Sequence, residues 1–158
     1  MGAIATAAGV ATGTAYVHYA SKEELVYATY LELKTQLGSA VLEDYDYSAV
    51  PRERWRHILT KAYAFLAEEP ERARFLTQLE ESPYYEEAHS RLVASEDPLA
   101  EVARTEDLLD LLVPLPYEVI YVLSLGVAVR LAAAGVQLKP EEVDLLVDAT
   151  WRAVTKPD

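Results

Sequence analysis

The chain has no cysteine among its 158 residues, which excludes disulfide bonds and metal sites built on thiolates. Its first residues carry neither a basic region nor a long apolar run, so they do not resemble a secretory signal peptide. The most apolar stretch covers residues 119–136, and its charge-free part, 119–129, is too short to span a bilayer. We therefore predict a cytoplasmic protein with no membrane partner.

Residues that enzymes depend on are scarce or badly spaced. The three histidines, His18, His57 and His89, lie far apart and lack the spacing of metal ligands. The acidic pair Glu80 and Glu81 is adjacent in sequence, so a helix would point the two carboxylates apart. Neither a phosphate-binding glycine loop nor a nucleophile elbow occurs in the sequence. The sequence therefore predicts no catalytic site, no metal and no cofactor, and an enzyme on a helical scaffold is the least favoured class.

Basic residues are also few, because 14 Lys and Arg stand against 26 Asp and Glu for a net charge of −12. This charge argues against nucleic-acid binding over most of the surface, since phosphate contacts supply much of the affinity. No acidic residue precedes Glu23, and the opening stretch has a charge of +1 from Lys22 alone. By itself that distribution favours no function, since residues 119–140 are equally free of acidic residues for the simple reason that they are apolar.

The pattern that is present is helical throughout, without the alternation of a strand. Ser21 and Glu24 form a capping box immediately before an apolar run, which predicts the start of a helix. Apolar residues then recur at three- and four-residue intervals as far as Val41, so we expect one helix of roughly 30 Å. Prolines and glycines bound the later helices, which are predicted over about 51–70, 71–81, 84–95, 99–113, 117–134 and 140–155. The predicted fold class is all-α.

Residues 4–25 have the outline of a helix-turn-helix, with an Ala-rich helix end, a turn at Gly9 and a short second helix. Glycine suits such a turn because it takes a positive φ without steric cost. The stretch reads Ile-Ala-x-x-Ala-Gly-Val-x-x-Gly-Thr-x-Tyr-x-His-Tyr-x-Ser-Lys-Glu-Glu-Leu. This run resembles the DNA-binding signature of the tetracycline-repressor (TetR-type) family of transcriptional regulators.

The resemblance implies double-stranded operator DNA as a partner and gives individual residues a role. Four residues would face base edges in the major groove: Thr12, Gly13, Thr14 and Val17. Three would bind phosphates: Tyr16, His18 and Lys22. Hydroxyl, imidazole and ammonium donors suit phosphate oxygens, and such contacts fix the register of a protein on DNA. Without the family, Tyr16 could be a core aromatic residue and Lys22 a solvated charge at a helix end.

The resemblance also divides the chain. It implies a DNA-binding module with its connecting helix over residues 1–40, and an effector-binding and dimerisation domain over 41–158. Members of the family normally have a further helix before the motif, so we expect this chain to lack the first helix of that module. In the recognition helix, Ala11 stands where serine or threonine is common.

Two expectations concern the C-terminal half. The helices predicted over about 117–134 and 140–155 are apolar and carry small residues, which suits a homodimer interface, although the first could simply be the core of a monomer. Aromatic residues between the motif and these helices could line an effector pocket, or could equally be ordinary core. They are Trp55, Phe65, Phe75, Tyr84, Tyr85, Tyr117 and Tyr121.

We therefore predict a ligand-responsive DNA-binding transcriptional regulator. Its expected form is a repressor that a small molecule releases from a pseudo-palindromic operator. The alternative is a helical dimeric ligand-binding or interaction protein that does not bind DNA.

Overall fold

The computed structural model describes residues 19–95, 97, 99, 102 and 105–157. In these ranges the chain is helical, which confirms the predicted all-α class, and its one β-type pairing is an isolated bridge between Leu112 and Thr155. No helix of the described chain is both long and apolar enough to cross a membrane. The helices are α1 (Lys22–Leu42), α2 (Pro51–Glu68), α3 (Pro70–Glu80), α4 (Tyr85–Ala94), α5 (Glu106–Leu109), α6 (Tyr117–Val122), α7 (Leu125–Ala133) and α8 (Pro140–Val154).

Helix α1 begins where the capping pattern predicts. Ser21 is its N-cap, and the Ser21 Oγ accepts a hydrogen bond from the backbone N–H of Glu24 at 3.2 Å. The helix has 21 residues. It packs on α2 and α4, so later helices hold it along its length. The predicted apolar stripe is buried at every position: Val26, Tyr30, Leu33, Leu37 and Val41.

Helix α2 lies between two clusters of buried side chains and contributes a stripe to each. The larger cluster, which we call the main core, joins α2 to α1, α3, α4 and α7. The smaller one, the second core, joins α2 to α5, α6, α7 and α8. The main core takes Ile58, Ala62 and Leu66 from α2, and the second core takes Trp55, Leu59 and Tyr63. Both sets are spaced by four residues, so they run side by side along the helix.

The last helix, α8, is fixed to α2 by one aromatic pair and by ion pairs of Arg52 and Arg56 with Asp144 and Asp148. The rings of Trp55 and Trp151 meet edge to face with centroids 5.8 Å apart, and the Trp55 Nε1 donates to the Thr150 Oγ at 3.2 Å. Arg52 donates to Asp148 at 2.9 Å on the exposed side. The helix predicted over 140–155 is therefore present and docked.

The single helix predicted over 117–134 is wrong, because the chain forms α6 and α7 with a break at Leu123 and Ser124. The Ser124 Oγ donates to the carbonyl oxygen of Ile120 at 2.6 Å, a bond that competes with helical pairing. The two helices approach closely at Gly126, where a Cβ would lie 3.0 Å from the carbonyl oxygen of Tyr121. Both halves bury apolar faces, so the hydrophobic pattern alone gives no sign of the break.

The helix predicted over 99–113 is also wrong in its C-terminal part. Between residues 105 and 113, only Glu106–Leu109 is helical. Leu112 then forms a β-bridge with Thr155, which follows the end of α8. Arg54 of α2 fixes this segment, since its guanidinium is buried and pairs with Asp107. The backbone groups of the segment therefore find partners outside a helix.

Candidate ligand cavity and its link to the N-terminal helix

Most of the predicted DNA-binding residues lie outside the described part of the chain. These are Thr12, Gly13, Thr14, Tyr16, Val17 and His18. Lys22 is described, and it is the first residue of α1 with an exposed side chain. Its Nζ lies 6.0 Å from the centre of the Tyr84 ring, which is on the edge of α4.

The first turn of α1 is fastened to α4 through Arg91. The terminal nitrogens of Arg91 donate to both carboxylate oxygens of Glu24 at 2.9 and 3.0 Å, and its Nε donates to Glu87 at 2.8 Å. The guanidinium also lies 4.3 Å from the centre of the Tyr27 ring. The hydrogen bond from Arg91 lowers the pKa of the Glu24 carboxyl. We call Glu24, Tyr27, Glu87 and Arg91 the α1–α4 joint.

Behind this joint lies a cavity of about 790 Å³, which we call the main cavity. Its walls come from α1, α2, α3, α4, α6 and α7, and many of them are leucine or valine. The aromatic lining residues are Tyr30, Tyr85, His89, Tyr117 and Tyr121. The charged lining residues are Lys34, Glu80, Glu86, Asp97 and Glu118. Its volume falls in the range of about 300–1,000 Å³ that is usual for small-molecule sites.

Tyrosine hydroxyls supply much of the polar surface inside the main cavity. Tyr121 donates to the Glu80 Oε1 at 3.0 Å. Tyr30 is only 5 % exposed, and its hydroxyl has no hydrogen-bond partner among the described residues. Burial, followed by the neighbouring Tyr85 and Glu80, raises the pKa of Tyr30 well above its usual range. The phenol therefore stays neutral and keeps a proton to donate.

Lys34 lies one turn after Tyr30 on α1 and also borders the main cavity. Burial lowers the pKa of its ammonium group, and the carboxylates of Asp97 and Glu80 act in the opposite direction. Within the described chain Lys34 makes no hydrogen bond or ion pair. On α4, His89 stacks on Tyr85 with ring centroids 5.5 Å apart, and the His89 Nδ1 is buried without a partner in the same ranges.

A second, smaller cavity of about 260 Å³ adjoins the main one and is more apolar. Trp55, Ile58 and Leu59 of α2 form one wall, and leucines from the α5 region form another. Tyr117, Tyr121 and Leu125 line both cavities. The two spaces therefore meet at α6, the helix that the break at Ser124 separates from α7.

Four of the seven aromatic residues proposed for a pocket border these cavities. They are Trp55, Tyr85, Tyr117 and Tyr121. The other three line neither cavity. Phe65 lies under the Arg72 guanidinium at 4.2 Å, Phe75 is buried in the main core, and Tyr84 meets the Tyr27 ring edge to face at 6.5 Å.

Sequence reasoning overlooked the α1 wall of the main cavity. Tyr30 was assigned to the core stripe, and Lys34 was not considered, because a helical period shows which face points inward but not whether the interior is filled. One signal was available: Tyr30 and Lys34 are four residues apart, so two polar tips lie on one side of a buried helix. Among the described residues, no three histidine or carboxylate side chains are grouped as metal ligands.

Comparison with known proteins identifies the two halves of the chain separately. The model described as "Bacterial regulatory proteins, tetR family" matches residues 1–29, and "Tetracyclin repressor-like, C-terminal domain" matches residues 51–155. The chain belongs to the TetR family. Regulators of this family are DNA-binding proteins without enzymatic activity, so membership confirms that the chain is not an enzyme. Family members bind operator DNA and typically form dimers.

Individual TetR-family relatives support this assignment. An uncharacterized HTH-type transcriptional regulator of Haemophilus influenzae is 26% identical over 157 residues, covering 97% of this chain and 83% of that protein. A crystal structure of a TetR-family transcriptional regulator from the same species has a TM-score of 0.69 at 26% identity, covering 96% of this chain and 82% of the other. A putative TetR family regulator from Shewanella sp. PV-4 shares the fold, with a TM-score of 0.70 at 20% identity over 97% of this chain and 85% of the other.

Proposed function

We propose that this TetR-family regulator is a repressor that leaves a pseudo-palindromic operator when a small molecule occupies the main cavity. The observation that carries the proposal is the position of that cavity, which borders both α1 and α4, the two helices that the α1–α4 joint connects. In this proposal, residues 1–40 form the DNA-binding module with its connecting helix. Residues 41–158 form the effector-binding and dimerisation domain. Acting on DNA, the protein would work in the cytoplasm.

The main cavity and the DNA-reading segment are linked through one short path. Tyr85 and His89 of α4 line the cavity, and Arg91 of the same helix holds Glu24. Glu24 lies in the first turn of α1, two residues after Lys22. An occupant that displaces α4 would therefore also displace the first turn of α1, which follows the proposed DNA-binding residues in the sequence. A ligand can shift such an equilibrium only by its difference in affinity for the two states.

At the DNA, we propose that Thr12, Gly13, Thr14 and Val17 face base edges. Tyr16, His18 and Lys22 would bind phosphates and set the register. The exposed position of Lys22 at the start of α1 supports its part of this assignment.

For the dimer, we propose an interface through the helices of about residues 117–134 and 140–155, which are α6, α7 and α8. Leu145, Ala149 and Ala153 of α8 are all exposed and four residues apart, so they form one outward stripe. Leu145 is 67 % exposed, and the two alanines leave room for a second helix to approach. Two copies related by a twofold axis would present paired readers to a pseudo-palindromic site. Sedimentation should give a dimer, and Leu145→Glu should shift it toward the monomer.

DNA binding is tested with operator fragments enriched from random DNA on the purified protein. We expect a specific complex whose affinity falls with salt, and Lys22→Ala should reduce the salt slope by about one phosphate contact. If no sequence is enriched and no fragment is retained at low salt, the chain would instead be a helical ligand-binding protein without a DNA function.

The proposed link is tested with Arg91→Lys, which keeps the charge but loses the two-pronged contact with Glu24. A ligand found to release the operator should bind the variant normally, while the ratio of operator affinities with and without ligand should shrink several-fold. By thermodynamic linkage, operator should weaken ligand binding by the same factor. Arg74→Lys is the matched control, because Arg74 pairs with Glu71 within α3 and does not touch α1. If the ratio of operator affinities with and without ligand is unchanged in Arg91→Lys, the α1–α4 joint does not transmit the effect of the ligand.

A further inference from the structure

The described lining of the main cavity is strongly acidic. With His89 and the tyrosines neutral, its charged side chains are four carboxylates and one lysine, a formal charge of −3. Glu86 and Glu118 lie on the exposed side, whereas Glu80 and Asp97 are half-buried and closer to the interior. A cleft that is lined by one sign of charge and walled by apolar side chains concentrates counter-ions of the opposite sign. The electrostatics of the walls therefore favour a cationic occupant.

The interior also holds a polar group that awaits a partner. The Tyr30 hydroxyl is on a cavity-lining side chain that is 5 % exposed and forms no hydrogen bond with another described residue. The Nδ1 of His89, which also lines the cavity, is buried without a partner in the same ranges. Buried polar groups in folded proteins are nearly always paired with protein, water or ligand. An occupant that fills this space can satisfy that hydroxyl, which makes the cavity a place for a ligand rather than a packing gap.

Aromatic faces surround the same space. Tyr30 of α1, Tyr85 of α4 and Tyr121 of α6 enter from three different helices. A cation over a tyrosine face is attracted by the ring quadrupole, and the attraction grows when water is excluded. The remaining walls are leucine and valine, so most of the occupant's surface must be apolar.

Lys34 is the one side chain of formal positive charge in the described lining, and it could instead suit an anion. Its ammonium group has no ion-pair partner within the described chain, and a carboxylate ligand could supply one. Burial opposes its charge, however, and Asp97 and Glu80 are its electrostatic neighbours. An added anion would have to approach those two carboxylates, together with Lys34, in the same space. Burial therefore reduces the positive charge that Lys34 contributes to the cavity.

From these observations we infer that the main cavity binds an organic cation with an aromatic or otherwise apolar body. The positive centre would lie between Glu80 and Asp97, with the tyrosine rings against it and the apolar body among the leucines. The smaller cavity, which shares Tyr117 and Tyr121, would receive any longer apolar substituent. That this cation is the effector rests on the proposed function. That the cavity binds such a cation does not depend on the proposed function.

The test compares tetraphenylphosphonium with tetraphenylborate, two ions of the same shape and opposite charge. Calorimetric titration of the DNA-free protein, in sodium buffer because potassium precipitates tetraphenylborate, should show the cation binding at least about tenfold more tightly. A competing neutral aromatic of similar size should fall between the two. Equal affinity, preference for the anion, or no binding of the cation at millimolar concentration would overturn the inference.

Charge-matched variants separate binding in the cavity from attraction to the acidic surface. Glu80→Gln should weaken the cation about fivefold while leaving the amide able to accept from Tyr121. Glu81→Gln removes the same charge from the next residue, which is exposed and outside the cavity lining, and should leave affinity nearly unchanged. Identical losses in the two variants would mean that the cation binds the surface field and not the cavity.

The outcome for the operator is read separately. If the cation binds with the stated selectivity but operator affinity is unaffected, the ligand class stands and the proposed regulation fails. If a different, anionic molecule releases the operator, the regulation stands and the ligand class is wrong.

Discussion

Replacing Gly38 with alanine should make the protein more stable. Gly38 lies inside α1 and is buried, and a Cβ built there would meet the Asp97 Oδ1 and the Leu99 Cβ at 4.0 Å each. These are ordinary van der Waals distances, so the methyl group fits without displacing anything. Glycine inside a helix is less favourable than alanine by about 0.8–1 kcal/mol, chiefly through backbone entropy. We therefore expect Gly38→Ala to raise the free energy of unfolding by about 1 kcal/mol.

Urea denaturation followed by far-UV circular dichroism measures this free energy. Thermal denaturation should show a rise in Tm of about 2–4 °C for a chain of this length. Gly126→Ala is a control of opposite sign, since its Cβ would lie 3.0 Å from a backbone oxygen. That variant should lose about 1–3 kcal/mol through overpacking. A loss of stability in Gly38→Ala would mean that α1 packs more tightly against Asp97 and Leu99 than the distances of 4.0 Å indicate.

Two further predictions concern buried residues of α1. Leu33→Ala should lower the free energy of unfolding by about 2–5 kcal/mol, because Leu33 is 1 % exposed and borders neither cavity. A loss well below that range in denaturant titration would contradict a filled core at this position. The pKa of Tyr30 is raised above the ordinary 10.0, so the folded protein favours the neutral phenol. The stability that this preference contributes is therefore complete below pH 10 and is lost as the pH rises further. Tyr30→Phe should therefore lose less stability between pH 9 and 11 than the unsubstituted protein, in about the range where free phenols titrate. Parallel alkaline curves for the two proteins would contradict this.

Much of the helical layout could be predicted because local signals and burial agree there. Ser21 and Glu24 fixed the start of α1, and its apolar stripe is buried at every predicted position. Prolines gave the starts of α2 and α8 in the same way. The break at Ser124 could not be predicted, since it depends on a side-chain bond to Ile120 within a run that is apolar on both sides.

The cavity was harder to anticipate than the helices. Choosing aromatic residues by type found Tyr85, Tyr117 and Tyr121 but also Phe75, which fills the main core. Whether an inward side chain meets another side chain or an open space depends on the distances between helices, and no periodicity encodes those distances. The family signature, by contrast, was readable because its residues are contiguous.

The two stripes of α2 have a mechanical consequence. Because both stripes belong to one helix, a displacement of α2 moves side chains of both clusters. The packing of the main core and the packing of the second core are therefore coupled through α2. An occupant of the main cavity that displaces α2 would therefore also change the contact between Trp55 and Trp151, which packs α2 on α8.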